Sequence, residues 1–106
     1  MARTSKSPKA VALAALSVAR RSLPEYAHRY SPKKFTQHQL FACLVLKDFY
    51  GLTYRGTTGL LADGDSLASA IGLTQIPHWT TLQKAADRLL LSRSFRRLLS
   101  VTVERA

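Results

Sequence analysis

One segment in the last third of the chain combines the side-chain types that nucleic-acid-binding proteins use. Its apolar residues recur at the spacing of one helix face, and the positions between them are polar or basic. The polar side carries side chains of the types that pair with base edges or phosphates, namely Gln83, Lys84, Asp87 and Arg88. Thr80 and Thr81 lie at the amino end, where free N–H groups and the helix dipole favour a phosphate. The pattern predicts a DNA-binding helix, although an ordinary amphipathic helix with a solvated face has the same spacing.

Basic residues outnumber acidic ones and concentrate toward both ends of the chain. The 106 residues include 16 Lys+Arg and six Asp+Glu, which gives a net charge of +10 and a pI near 10.5. Residues 1–34 hold eight basic side chains and one acidic one, and residues 84–106 hold six against two. This distribution predicts a polyanionic partner, nucleic acid or an anionic membrane surface, although basic groups can also serve solubility alone. The candidate phosphate contacts outside the segment just described are Lys33, Lys34, Arg55, Arg93, Arg96 and Arg97.

Several classes of chemistry find little support in the sequence. One cysteine, Cys43, excludes an internal disulfide, and the three histidines are far apart and lack Cys-x-x-Cys neighbours. Asp63 and Asp65 are close together, but turn formation and helix capping explain them better than paired acid–base catalysis. Phosphate-loop, dinucleotide-binding and nucleophile-elbow motifs do not occur, and no apolar run approaches the roughly 20 residues of a membrane-spanning helix. We therefore expect no enzymatic activity, no metal or cofactor and no membrane association.

The amino-terminal segment predicts a helix from Pro8 to Ser22. Ser7 is suited to cap it, Pro8 to occupy its first position, and the segment is rich in alanine and leucine. The basic residues before this apolar stretch also resemble a secretory signal or an organellar transit peptide, and that alternative stays open. We divide the chain into a basic amino-terminal helix and arm, residues 1–34, and a helical DNA-binding domain with one core, residues 35–106.

The middle of the chain predicts the helix at the centre of the core. Thr36 and Gln39 have the spacing of a capping box, and Gly51 is placed to end the helix. Residues 40–46 are apolar throughout, so this helix is hydrophobic nearly all round. Such a helix must be covered on several sides.

The remaining helices are short and closely spaced. Thr53 is predicted to cap residues 54–62, Asp65 to cap residues 66–71, and Thr80 to cap residues 80–91. A last amphipathic segment places on one face Phe95, Leu98, Leu99, Thr102 and Val103. The order of short helix, turn, short helix, loop and regular helix is that of a helix-turn-helix-like unit. We predict an all-α fold, a compact bundle of five or six helices that includes this unit.

Four stretches of the sequence resemble one protein family, in the same order. They are residues 31–47 (SPKKFTQHQLFACLVLK), 51–56 (GLTYRG), 71–73 (IGL) and 76–83 (IPHWTTLQ). Together they resemble the N-terminal region of IS4/IS5-type DDE transposases of prokaryotic insertion sequences. The resemblance extends over about residues 31–91 of the chain.

The resemblance implies a function in DNA transposition. In that family this helical region precedes an RNase-H-like catalytic domain and is associated with binding the terminal inverted repeats of the element. Two Asp and one Glu of the catalytic domain hold the divalent metal ions for strand cleavage and joining, and none of them maps onto an acidic residue of this chain. We therefore expect a DNA-binding fragment that acts in the cytoplasm at the nucleoid, either a truncated copy or the first of two reading frames.

A second hypothesis belongs to a different functional class. The chain could be a helical assembly module, self-associating or inhibiting a full-length transposase. This hypothesis needs an exposed apolar patch, which Phe95, Leu98 and Leu99 could form. A third hypothesis, a membrane-surface peptide at residues 1–30, is weakened by the lack of aromatic anchors on its apolar face.

Overall fold

Helices are the only regular elements in the part of the chain that the computed structural model describes. That part comprises residues 7–26, 34–89 and 93–105, with the side chains of residues 93–95 and 105 left out of the description. The helices are α1 (Pro8–Ser22), α2 (Gln37–Tyr50), α3 (Tyr54–Asp63), α4 (Asp65–Ile71), α5 (Trp79–Leu89) and α6 (Arg93–Arg105). The radius of gyration is 12.6 Å, close to the roughly 13 Å of a folded domain of this length. The predicted all-α bundle is confirmed.

Helix α2 lies at the centre of the bundle. Every residue from Leu40 to Leu46 is buried, and Phe41, Val45 and Leu46 have no exposed surface. Because apolar side chains point outward all round this helix, it is covered on several sides, by α1, α3, α5 and α6. The prediction of a central helix here is confirmed.

The predicted side-chain caps of three helices are formed. The Ser7 hydroxyl accepts from the Ala10 N–H at 3.1 Å, and the Thr53 hydroxyl accepts from the Gly56 N–H at 2.9 Å. At the start of α2 the Thr36 hydroxyl accepts from the Gln39 N–H at 3.0 Å, and the Gln39 carboxamide oxygen accepts from the Thr36 N–H at 3.0 Å. This capping box satisfies two N–H groups that the helix itself leaves without partners.

Glycines end α2 and α4 as predicted. Gly51 and Gly72 have φ angles of 64° and 82°, in the left-handed region that glycine enters without steric cost. The start of α4 differs from the prediction, because Asp65 lies inside the first turn and the cap position is Gly64, which provides no side-chain bond. Asp65 therefore adds a favourable negative charge near the positive helix end rather than a cap.

The start of α5 also differs from the prediction. The helix begins at Trp79 rather than after Thr80, and His78 provides the capping bonds. The His78 carbonyl oxygen accepts from the Thr81 N–H at 2.9 Å, and its ring Nδ1 accepts from the Thr80 N–H at 3.2 Å. An imidazole acceptor thus replaces the expected threonine hydroxyl. The predicted end of this helix, at residue 91, lies outside the described residues.

Helix α1 packs along α2 and contributes to the same hydrophobic cluster. Small residues on its inner face, including Ala12, Ala15 and Ala19, have no exposed surface and allow the two helices to approach closely. After α1 the chain is tied to the start of α2, where the Gln37 side-chain amide donates to the Pro24 carbonyl at 2.9 Å. The His38 ring Nε2 lies 2.8 Å from the Leu23 carbonyl oxygen. The division of the chain at residue 34 stays a prediction.

The central position of α2 predicts a large cost for truncating a side chain that it buries. Leu46→Ala should lower the free energy of unfolding by about 2–5 kcal/mol, because it removes buried methyl groups and leaves a cavity. The matched control is Leu13→Ala on α1, since Leu13 is 46% exposed and its truncation should cost about 0.5 kcal/mol or less. Urea unfolding followed by far-UV circular dichroism measures both, and equal costs would contradict the central position.

Candidate nucleic-acid interface

The burial pattern of α5 follows the predicted amphipathic spacing. Its inner stripe, formed by Leu82, Ala85, Ala86 and Leu89, is at most 9% exposed and packs on α2 and α3. The side chains that point to solvent are those of Gln83, Lys84, Asp87 and Arg88. The core thus fixes which face of α5 is presented, and that face contains the predicted DNA-contacting residues.

The exposed side chains of α5 have a definite order around the helix. Successive residues of an α-helix are about 100° apart around its axis. Lys84 and Asp87 therefore lie within about 40° of Thr80, on one ridge of the helix. Arg88 lies toward one edge of the exposed face, and Gln83 lies toward the other edge. The middle of the exposed face therefore carries Thr80, Lys84 and Asp87, and the Arg88 guanidinium group lies at one edge.

Arg55 brings a second guanidinium group to the other side of α5. Its guanidinium carbon lies 4.6 Å from the centroid of the Trp79 ring, within the range of a cation–π contact. Trp79 is the first residue of α5, and Arg88 follows it by nine residues, about two and a half turns. Arg55 and Arg88 therefore flank α5 on opposite sides.

A hydrogen bond holds α3 to the loop before α5. The Thr58 hydroxyl donates to the Pro77 carbonyl oxygen at 3.2 Å, and Pro77 is fully buried. The Trp79 and His78 rings also lie close together, with centroids 5.6 Å apart. These contacts fix the entry of the chain into α5 and keep Arg55 beside its first turn.

Thr80 and Thr81 lie at the start of α5 as predicted, but their backbone groups are not free. Both N–H groups already donate to His78, and the Thr80 hydroxyl is 2.9 Å from the His78 Nδ1. The expectation of free N–H donors is therefore wrong for these two residues. Their half-buried side chains remain at the end of the helix where a phosphate or base could reach them.

The flank of α5 near α3 also carries negative charge. Lys47 Nζ lies 4.7 Å from the centroid of the Tyr54 ring and 3.7 Å from an oxygen of Asp48. Burial, together with the charges of Asp87 and Asp48, raises the pKa of the Tyr54 phenol above its ordinary value. The sequence pattern gave no sign of the effect of Asp87 on Tyr54 or of the Arg55–Trp79 contact, because each joins residues more than 20 positions apart in the chain.

The other predicted phosphate contacts are spread over the surface. Lys34 is exposed just before α2, and Arg96 and Arg97 are exposed on α6, which packs on α2. Lys34 precedes α2, and Lys47 lies in the last turn of that helix. The predicted contacts at Lys33 and at the Arg93 side chain lie outside the described residues. Of the predicted phosphate contacts outside α5, Arg55 is the one that the described residues show in contact with that helix.

Two of the three residues offered for the apolar patch of the assembly hypothesis pack against the core. Leu99 is 6% exposed, and Leu98 is partly buried against the hydrophobic cluster. The Phe95 side chain lies outside the description. Leu99 is therefore not exposed for docking, Leu98 offers only part of its side chain, and the assembly hypothesis stays a prediction.

The structure also shows the surroundings of Cys43 and of the histidine and acidic side chains. Cys43 is fully buried, and burial raises the pKa of its thiol to about 12, so the nucleophilic thiolate is strongly disfavoured. Across the described ranges, no three His, Cys, Asp or Glu side chains form a group that could hold a metal ion. Likewise, none of the helices in those ranges is both long enough and apolar enough to cross a membrane.

Known protein families, curated proteins and solved structures provide no match to this chain. A binding partner is therefore inferred from the surface of the chain itself. The candidate interface for nucleic acid is the exposed face of α5 together with Arg55.

The Arg55–Trp79 contact predicts a fluorescence change, because Trp79 is the one tryptophan of the chain. Arg55→Ala should increase quenching of the Trp79 emission by acrylamide, since it uncovers the ring, and should cost about 0.5–1 kcal/mol of stability. Arg20→Ala, which removes an exposed arginine from α1, is the control and should change neither quantity. If quenching is the same in Arg55→Ala and wild type, the contact is not maintained in solution.

Proposed function

We propose that this chain is a DNA-binding module of the kind found at the N-terminus of IS4/IS5-type DDE transposases. In this proposal it binds the terminal inverted repeats of an insertion sequence in the cytoplasm and does not itself catalyse strand transfer. The observation that supports it most is the exposed face of α5, which carries Gln83, Lys84 and Arg88 on a helix seated on the core. The sequence resemblance over residues 31–91 supplies the choice of family.

The dimensions of α5 suit the major groove of duplex DNA. An α-helix with its side chains is about 10–12 Å across, and the major groove is about 12 Å wide. A helix in the groove has one phosphate strand on each side, and α5 has Arg55 on one side and Arg88 on the other. Each guanidinium group would bind phosphates of a different strand, which would centre the helix over the base edges.

Base contacts in this proposal come from the exposed side chains of α5 that lie between Arg55 and Arg88. The Gln83 carboxamide matches the donor and acceptor of adenine, and the Lys84 ammonium matches the acceptors of guanine. Thr80 and Thr81 would contribute hydroxyl groups at the start of the helix, where their side chains are half-buried. These contacts would give sequence preference to a module whose affinity comes mainly from phosphates.

The more distant cations would strengthen binding without reading sequence. In the proposal, Lys34, Arg96 and Arg97 add to the positive field, as would Lys33 and Arg93. A net charge of +10 attracts a polyanion over the range of the Debye length and accelerates encounter.

Substitutions on α5 test this proposal. Lys84→Ala and Arg88→Ala should each weaken duplex binding by about 1–3 kcal/mol, because the first removes a base contact and the second removes a charge-assisted phosphate contact. The matched control is Lys9→Ala on α1, which removes one exposed positive charge from a helix that contacts no DNA in the proposal. Its effect should be about 0.5 kcal/mol or less.

Fluorescence anisotropy with a labelled duplex at low, fixed salt measures all these affinities. Binding that is equal in wild type, Lys84→Ala and Arg88→Ala would remove α5 from the interface. A loss of the same size in the Lys9→Ala control would instead show that any cation of the chain serves, and that no face is preferred.

A further inference from the structure

Asp87 is the one acidic residue of α5, and it lies in the middle of the proposed DNA-contacting face. Its side chain is exposed, between Lys84 one turn earlier and Arg88 next to it. An exposed carboxylate here opposes the function of the face, because it repels the phosphate groups that the neighbouring cations attract. Its position therefore needs a reason other than affinity.

No cation in the described ranges forms an ion pair with Asp87. Neither the Lys84 ammonium nor the Arg88 guanidinium lies within 4.0 Å of the Asp87 carboxylate. The ion pair that the described residues do form is Lys47–Asp48, at 3.7 Å. Both oxygens of Asp87 thus keep their capacity to accept hydrogen bonds from a ligand. The two cations likewise remain available for DNA.

The Asp87 carboxylate acts electrostatically on a side chain of α3, Tyr54. On the side of α3, burial raises the pKa of the Tyr54 phenol, and the Asp87 charge raises it further. Asp48 acts on Tyr54 in the same direction, with Lys47 as the partly compensating cation. The Asp87 carboxylate itself would repel a phosphate, so it is better suited to a base edge than to the DNA backbone.

We propose that Asp87 is a specificity-determining residue that accepts a hydrogen bond from the 4-amino group of a cytosine in the major groove. The inference rests on the proposed DNA binding by α5 and deepens it. On the major-groove edge, cytosine presents an amino donor, whereas guanine and thymine present acceptors that repel a carboxylate. Adenine places its N7 acceptor beside its amino group, and a carboxylate has no donor to satisfy it. Of the four bases, cytosine is therefore the best match for Asp87.

The proposal predicts that Asp87 acts mainly by penalising wrong bases. Replacing the contacted cytosine should weaken binding by about 5-fold to about 140-fold, since one good contact gives that range of discrimination. Asp87→Asn removes the charge, nearly preserves the shape and adds an amide donor. The variant should bind random duplexes at least as tightly as wild type and should prefer adenine, or no base, at the affected position.

The experiment is selection of binding sites from a random duplex library by wild type, Asp87→Asn and Asp63→Asn. Asp63 is an exposed acid at the end of α3, so its substitution removes the same charge outside the proposed face. Wild type and Asp63→Asn should select the same sites, with a fixed cytosine that Asp87→Asn no longer requires. In the selected site, a cytosine analogue without the 4-amino group should weaken binding by wild type more than binding by Asp87→Asn, whose amide oxygen is an uncharged acceptor. Far-UV circular dichroism and Trp79 fluorescence confirm that each variant is folded.

The outcomes separate this inference from the proposed function. Sites without a fixed cytosine, or identical sites for wild type and Asp87→Asn, overturn the role of Asp87 while binding that depends on Lys84 and Arg88 still supports the module. Equal relaxation of the sites by Asp63→Asn also overturns it, because net charge would then be the cause. If wild type binds no duplex at low salt, the proposed function fails and this inference fails with it.

Discussion

The burial of α2 is the constraint on which the rest of the structure depends. A helix that is apolar on nearly all sides is stable in water only when other helices cover it, and α1, α3, α5 and α6 do so. Each covering helix must turn an apolar stripe inward, which leaves its polar residues outside. The exposed face of α5 therefore follows from the core, because Leu82, Ala85, Ala86 and Leu89 cannot leave it without a large loss of buried area.

This separation of core and surface explains how a small chain can carry a net charge of +10 and still fold. The buried cluster contains no charged side chain among the described residues. Apart from the half-buried Lys47, the basic side chains described are exposed to water, where their mutual repulsion is screened. Buried polar groups are satisfied within the same ranges: no buried side-chain nitrogen or oxygen there lacks a partner. The positive charge is thus free to attract a polyanion, at the cost of some self-repulsion.

Local features of the sequence predicted much of the fold. The capping box of Thr36 and Gln39, the left-handed Gly51 and the stripe of α5 are determined by neighbours within a few residues, and all three are confirmed. The cap of α5 was missed because an acceptor at His78 depends on ring orientation, which residue type alone does not fix. The stack of Arg55 on Trp79 joins residues 24 positions apart, so only the packing of α3 against α5 could reveal it. The DNA partner itself stays a prediction from charge, side-chain type and resemblance.

The central claim is that a neutral helical core presents cations to the phosphates of duplex DNA. Its most direct test is the affinity of the purified chain for a duplex, measured by fluorescence anisotropy over a series of salt concentrations. If Arg55 and Arg88 each neutralise a phosphate, the logarithm of the association constant should fall with the logarithm of salt concentration with a slope of about −1.8 or steeper. A slope near zero, or no binding at the lowest salt, would contradict the account.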